Sequence, residues 1–296
     1  MGVPKRIKDY QGRYAMVDGI TFKLPVNAEH SPAFMAGFLC DYEKAKAVLP
    51  GNELHPVRAF GGKAVFMLTV IDYRKTTIGK YIEYSIALAV TKGKKPAPPF
   101  LPALMMKTFK TGQFILDLPV SSEISVKGGK GIWGMPKHKA NLDFIITDKQ
   151  VSAQYEKDGQ FAFRIEIDKP PKANFPINIS ATNYSHFRNM LMASYIHFKS
   201  KAGIRFGKKA TGRLYIGDHP RVKFMKDLKI ESKPFFTLFM PDANGILDDY
   251  FECWFMTYAQ KPDRVTPEGF ENVFNLGLNE DWLPPPSVTD YEKFKI

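Results

Sequence analysis

Apolar residues recur along the chain in short runs punctuated by Gly, Pro, Asn and Asp. Lys63 to Tyr73 (KAVFMLTVIDY) and Tyr81 to Thr91 (YIEYSIALAVT) are nearly continuous apolar runs and predict strands. Gln113–Leu118, Ala140–Ile146, Gln150–Glu156 and Gln160–Ile167 predict further strands, the last two joined by a turn at Lys157-Asp158-Gly159. Asn174–Ile179, Met190–Phe198, Arg213–Ile216 and Phe235–Met240 continue the series, and Asp248–Tyr258 reads as either strand or helix. Near the N-terminus, Asp18-Gly19 sits between two short apolar segments and predicts a hairpin. Asp41 is placed to cap a short helix that runs through Leu49 and stops at Pro50-Gly51. Strand after strand with short turns predicts a mainly β (α+β) fold: an antiparallel barrel or sandwich with one or two helices packed outside.

Composition agrees with that pattern. Phe and Tyr number 24 and 13 among 296 residues, an aromatic load that suits sheets. Two cysteines, Cys40 and Cys253, are too few for a disulfide scaffold and lie in no metal-binding spacing, which fits a reduced, cytoplasmic protein. No apolar run is long enough to span a bilayer, so no membrane partner is expected, and no signal peptide is visible. The formal charge of +12 is concentrated between Lys199 and Lys229, but no nucleic-acid-binding motif accompanies it, and a solvated surface is the expectation. The six histidines have no metal-ligand spacing, so no metal is expected. A single domain is expected, with its core at about 30–258 and residues 259–296 as an extended C-terminal arm.

The stretch with the most chemistry is Gly131-Ile132-Trp133-Gly134-Met135-Pro136-Lys137-His138. Pro136 disfavours helix at Met135, so the chain is expected to enter Lys137 extended, with Trp133 and Met135 on the same apolar face as the lysine. A lysine works as a nucleophile at neutral pH only if its pKa falls about three units, which burial or a nearby cation can bring about. Glu83 is a second candidate, because a carboxylate between aromatic and apolar neighbours is costly unless paired. The run Lys127-Gly128-Gly129-Lys130-Gly131 lacks the ending of a phosphate loop and is expected to be a flexible turn.

Together these segments resemble the acetoacetate decarboxylase family. The resemblance rests on Gly129 to His138, on Gly79-Lys80-Tyr81-Ile82-Glu83, and on Thr211 to Ile216 with Asp218-His219 and Met225 to Leu228, and covers about residues 30 to 250. It implies an antiparallel β-barrel or cone with flanking helices and a lyase acting on a keto acid. Lys137 falls on the Schiff-base lysine and Glu83 on the active-site glutamate, with His138, Lys130, Trp133 and Met135 as substrate-binding or pKa-tuning neighbours. No cofactor is implied, since the lysine supplies the electron sink; a homo-oligomer is. His138 stands where the family has a second lysine, Lys130 and Gly131 where it has Arg and Glu, Ser31 near its early arginine, and Leu68 near a second carboxylate. These changes imply a larger or less polar keto acid than acetoacetate. Aldol or dehydration chemistry on a 2-oxo acid, or a non-catalytic binding barrel, would use the same scaffold.

Overall fold

The computed structural model describes Ile7 and residues 12–260; the arm expected beyond 260 lies outside the described residues. Contacts group Met1–Thr257 into one unit and Tyr258–Ile296 into a second, and the barrel and the site lie in the first.

In chain order, β1 (Arg13–Val17) and β2 (Ile20–Leu24) form the hairpin expected about Asp18-Gly19. They lead into the long β3 (Val26–Cys40). Helix α1 (Tyr42–Ala47) follows, and the Asp41 carboxylate caps it by accepting a bond from the Lys44 amide. Next come β4 (Leu54–Pro56), β5 (Ala64–Tyr73), β6 (Lys75–Thr76) and β7 (Tyr81–Lys92). A protruding loop with the one-turn helix α2 (Leu101–Leu104) connects to β8 (Gly112–Val120). Helix α3 (Glu123–Trp133) and β9 (Lys137–Lys139) follow, then β10 (Asn141–Leu142), β11 (Ile145–Ile146), β12 (Gln150–Lys157) and β13 (Gln160–Asp168). The chain finishes with β14 (Phe175–Phe187), β15 (Met190–Phe206), β16 (Gly212–Ile216), α4 (Lys223–Asp227) and β17 (Phe236–Phe255). The ambiguous segment from Asp248 is therefore the continuation of a strand.

Among the described residues, seven strands close into a barrel in the order β7-β5-β3-β17-β15-β14-β8, with β8 pairing back onto β7. All neighbours are antiparallel except β14–β8. That parallel contact needs a long crossover, and α3 and β9 to β13 supply it; β10, β12 and β13, with β11 on β12, form a second sheet that β16 joins later in the chain.

The second sheet packs on the outside of β3, β5 and β7, and this accounts for the continuous apolar runs. Alternate residues of β5 and β7 face opposite ways. Thr69, Ile71, Tyr73, Tyr81, Glu83 and Ser85 face the barrel interior. Phe66, Leu68, Val70, Tyr84 and Ile86 are almost wholly buried on the other side. There the Tyr84 ring meets Phe163 at 5.8 Å, Phe34 meets Phe144 at 5.6 Å, and the Tyr84 hydroxyl bonds the carbonyls of Asp143 and Gln154. Each side chain buried in this layer contributes about 1.5–3 kcal/mol. Ser180, His197 and Asp248 tie β14, β15 and β17 together, with Ser180 Oγ 2.7 Å from His197 Nδ1 and His197 Nε2 3.1 Å from Asp248.

Candidate active site

The barrel interior is an apolar cavity of about 110 Å³. Its walls include Ile71, Ile115, Leu118, Ile196, Leu238 and Met240, and helix α3 contributes Gly129 and Trp133. Helix α3 is thus part of the cavity wall rather than a purely external flank. Among the described lining residues the charged ones are Glu83 and Lys137.

Backbone pairing brings these two together. Leu118 on β8 pairs with Lys137 on β9, and Val120 pairs with both Lys139 and Glu83. Lys137 Nζ lies 2.6 Å from Glu83 Oε2, with the two side chains 7% and 13% exposed. The approach lies outside the angles of a hydrogen bond, so the contact is an ion pair and Oε2 accepts no aligned donor. Nζ does donate to Ser125 Oγ at 2.9 Å, and it stands 5.5 Å from the Tyr81 ring centre.

Tyr73 and Tyr81 stack at 4.6 Å across β5 and β7. Burial, and then the Glu83 charge, hold the Tyr73 phenol well above the usual tyrosine range. Burial and Glu83 raise Tyr81 likewise, partly opposed by a hydrogen bond with Ser125. Both phenols therefore stay protonated beside the ion pair.

Local geometry delivers the lysine. The glycine run, expected as a flexible turn, lies inside α3, because three close approaches demand residues without Cβ. A Cβ on Gly128 would lie 2.7 Å from the Phe22 ring, one on Gly129 would lie 2.7 Å from Lys137 Cε, and one on Gly131 would lie 2.8 Å from Val17 Cγ2. Gly134 then ends the helix in the left-handed conformation, its amide bonded back to the Lys130 carbonyl. Trp133 is anchored by an Nε1 bond to the Asp248 carbonyl, and its own carbonyl accepts from Ser185 Oγ. Trp133, Met135 and Lys137 all line the cavity. They do so through a helix end, a cap and a strand start, not through the strand alternation expected over the whole stretch.

The other expected neighbours stand elsewhere. The pleat of β9 turns His138 away from the cavity, where its Nε2 is 2.9 Å from the Tyr155 hydroxyl and its Nδ1 is 3.2 Å from Asp117. Asp117 also meets Arg221 at 3.5 Å. Lys130 is not a lining residue, and Lys139 is exposed. Ser31 is buried and donates to the Glu29 carbonyl. Leu68 faces the outer core, whereas its neighbour Thr69 faces the cavity with a hydroxyl that has no partner. His219 caps a 3-10 turn, its Nδ1 accepting from the Arg221 amide, and its ring lies 6.5 Å from Tyr155. Ser125, Tyr73 and Tyr81 did not stand out in the sequence. Ser125 is hidden by a helix that Gly128, Gly129 and Gly131 disguise as a loop.

The profile of the acetoacetate decarboxylase (ADC) family matches residues 14–203. The chain belongs to the acetoacetate decarboxylase family. Solved structures with the same fold include the acetoacetate decarboxylase of Legionella pneumophila subsp. pneumophila str. Philadelphia 1, at 14% identity over 76% of this chain and 85% of that one, TM-score 0.53. A second acetoacetate decarboxylase structure shares 13% identity over 79% and 91% of the two chains, TM-score 0.57. The enduracididine biosynthesis enzyme MppR, complexed with pyruvate, shares 12% identity over 80% and 92%, TM-score 0.56. No curated protein matches the chain. Among the described residues no helix is long and apolar enough to cross a membrane, and no group of three or more His, Cys, Asp or Glu side chains is placed to hold a metal.

Proposed function

We propose that this family member is a lyase that forms a Schiff base between Lys137 and a keto acid and releases CO2. The observation that carries the proposal is a buried lysine paired with Glu83 inside an apolar cavity. Attack needs the neutral amine, and the Glu83 carboxylate is the base within reach of Nζ. The amine adds to the ketone carbon, and loss of water, with a proton returned from Glu83, gives a protonated imine. The bond between the α-carbon and the carboxylate then breaks, and its electron pair moves through the new enamine to nitrogen. CO2 leaves, the enamine carbon takes up one proton, and water hydrolyses the imine to free Lys137. The balance is one keto acid anion and one proton in, one ketone and one CO2 out.

The cavity favours this direction of charge flow. A carboxylate held among Ile115, Leu118, Leu238 and Met240 loses its hydration, and decarboxylation disperses its charge. Lys137 is the cation among the described lining residues, and the reaction itself occupies it. A second carboxylate on the substrate would have no partner. This supports a keto acid with an apolar remainder.

A second reading keeps Lys137 and Glu83 but applies the imine to aldol or dehydration chemistry on a 2-oxo acid. The fold likeness to MppR complexed with pyruvate favours keeping it. Incubating the full-length protein with apolar 3-oxo acids, acetoacetate and pyruvate, then reducing with borohydride and assaying CO2, separates the readings. A reduced adduct with CO2 release from a 3-oxo acid supports the lyase. An adduct with pyruvate alone and no CO2 supports the second reading. No adduct with any of them contradicts both.

A further inference from the structure

The loop between β7 and β8 is unlike the rest of the surface. From Tyr84 to Leu116 the sequence contains no Asp or Glu, yet it carries Lys92, Lys94, Lys95, Lys107 and Lys110. Between the two groups of lysines lies Pro99-Phe100-Leu101-Pro102-Ala103-Leu104-Met105-Met106. Apart from the buried Pro102, the large side chains are not tucked in: Leu104 is 82% exposed, and Phe100, Leu101, Met105 and Met106 are all exposed. Phe60, itself exposed, meets Phe100 in a tilted contact with ring centres 5.4 Å apart and widens the apolar tip.

The protrusion is built, not slack. The Met105 amide bonds the Leu101 carbonyl at 2.8 Å, the Thr111 amide bonds Met106 at 2.8 Å, and Thr111 Oγ1 bonds Pro102 at 3.1 Å. Its base is pinned to the barrel by Lys92 N to the Phe109 carbonyl and by the Tyr184 hydroxyl to the Lys110 carbonyl at 2.7 Å. A fixed apolar tip is left facing water beside four exposed lysines, Lys94, Lys95, Lys107 and Lys110, while Lys92 sits half-buried over the Trp254 ring; a contiguous patch of this kind marks an interaction site.

We infer that this loop docks the protein reversibly onto a bilayer that contains anionic lipid, with Leu104, Met105 and Met106 entering the interface and the lysines meeting the headgroups. Charge selects this occupant. In a two-fold dimer the same patch would face itself, which would set lysine against lysine. A nucleic acid would satisfy the lysines but leave the apolar tip in water. An anionic bilayer satisfies both parts, because basic side chains and apolar wedges act together at its surface. Docking of this kind needs no spanning segment, and the cytoplasmic leaflet is the anionic one.

The test is flotation of the full-length protein with phosphatidylcholine vesicles and with vesicles that also contain phosphatidylserine, at low and high salt. The expected result is co-flotation with the anionic vesicles alone, reduced at least about tenfold at about 1 M salt, where screening is strong. The double variant Leu104→Asp, Met106→Asp is expected to lose flotation while keeping its melting temperature and its borohydride-trapped adduct. Absence of wild-type flotation at low salt overturns the inference. So does flotation that survives the double substitution. Sedimentation showing that the same substitution dissolves a dimer would assign the patch to a second copy instead.

Discussion

Gly129 and Lys137 share one space: a Cβ on Gly129 would lie 2.7 Å from Lys137 Cε and would overlap Cδ. The lysine stem runs flat against the backbone of α3, and this contact fixes where Nζ ends, between Ser125 and Glu83. Two effects compete in Gly129→Ala. Alanine favours the helix by about 1 kcal/mol, while the overlap costs about 1–3 kcal/mol. The variant is therefore expected to fold with a modest stability loss but with a displaced lysine. Adduct formation should slow by about 10²-fold, the scale of a 1 Å misplacement. Gly131→Ala presses on Val17 instead, so it should lower the melting temperature and leave the adduct rate near wild type. Equal effects of the two variants on adduct rate would contradict this division.

Glu83→Gln keeps the shape of the side chain and removes its charge and its capacity to hold a proton beside Nζ. Turnover, followed as CO2 release, is expected to fall by about 10²–10⁴-fold, the range for a lost acid/base group. Borohydride should still trap some adduct in a long incubation, because Lys137 remains. Unchanged turnover would remove Glu83 from the chemistry.

The buried phenols give the stability a direction with pH. Burial raises Tyr73, Tyr81 and Tyr84, and a nearby carboxylate adds to it, so the folded chain holds these protons after the unfolded chain has released them. Their stabilisation is full below the unfolded value near pH 10 and is lost as pH climbs from there toward the folded values, by about 1.4 kcal/mol per unit and per phenol. Melting temperatures measured from about pH 8 to about pH 11 should fall over the upper part of that range, less steeply in Tyr84→Phe. A flat profile would contradict the burial of these hydroxyls.

Cys40 is buried, and desolvation, followed by the charge of Asp41, pushes its thiol up to about 12, whereas Cys253 is exposed. At about pH 8, below both the ordinary thiol value and that of Cys40, a thiol reagent should modify one cysteine in the native chain and both in denaturant. Cys253→Ser should reduce the native reaction to none. Fast native labelling of Cys40 would mean that β3 opens.

Much of this was legible in the sequence. The hairpin at Asp18-Gly19, the Asp41 cap and the strands around Glu83 follow from turn chemistry, capping and apolar runs. Because β5 and β7 are apolar on both faces, their runs located the strands without saying which face held a cavity; Thr69, not Leu68, is the inward residue. The glycine run of helix α3 reads as a turn because local propensity argues against three glycines in one helix. Its reason is the tertiary contact with Phe22, Lys137 and Val17. The resemblance puts His138 where the family has a second lysine, but a strand sends adjacent side chains to opposite faces, so His138 points away from the cavity that Lys137 lines.

If Lys137 is the nucleophile, the reduced adduct maps to it. The full-length protein is incubated with an apolar 3-oxo acid, reduced with borohydride, digested, and the modified peptide sequenced by mass spectrometry. The expected result is one equivalent of adduct, on Lys137, absent from Lys137→Ala and from the unreduced sample. Adduct spread over the exposed lysines with Lys137 unmodified, or undiminished in Lys137→Ala, would contradict it.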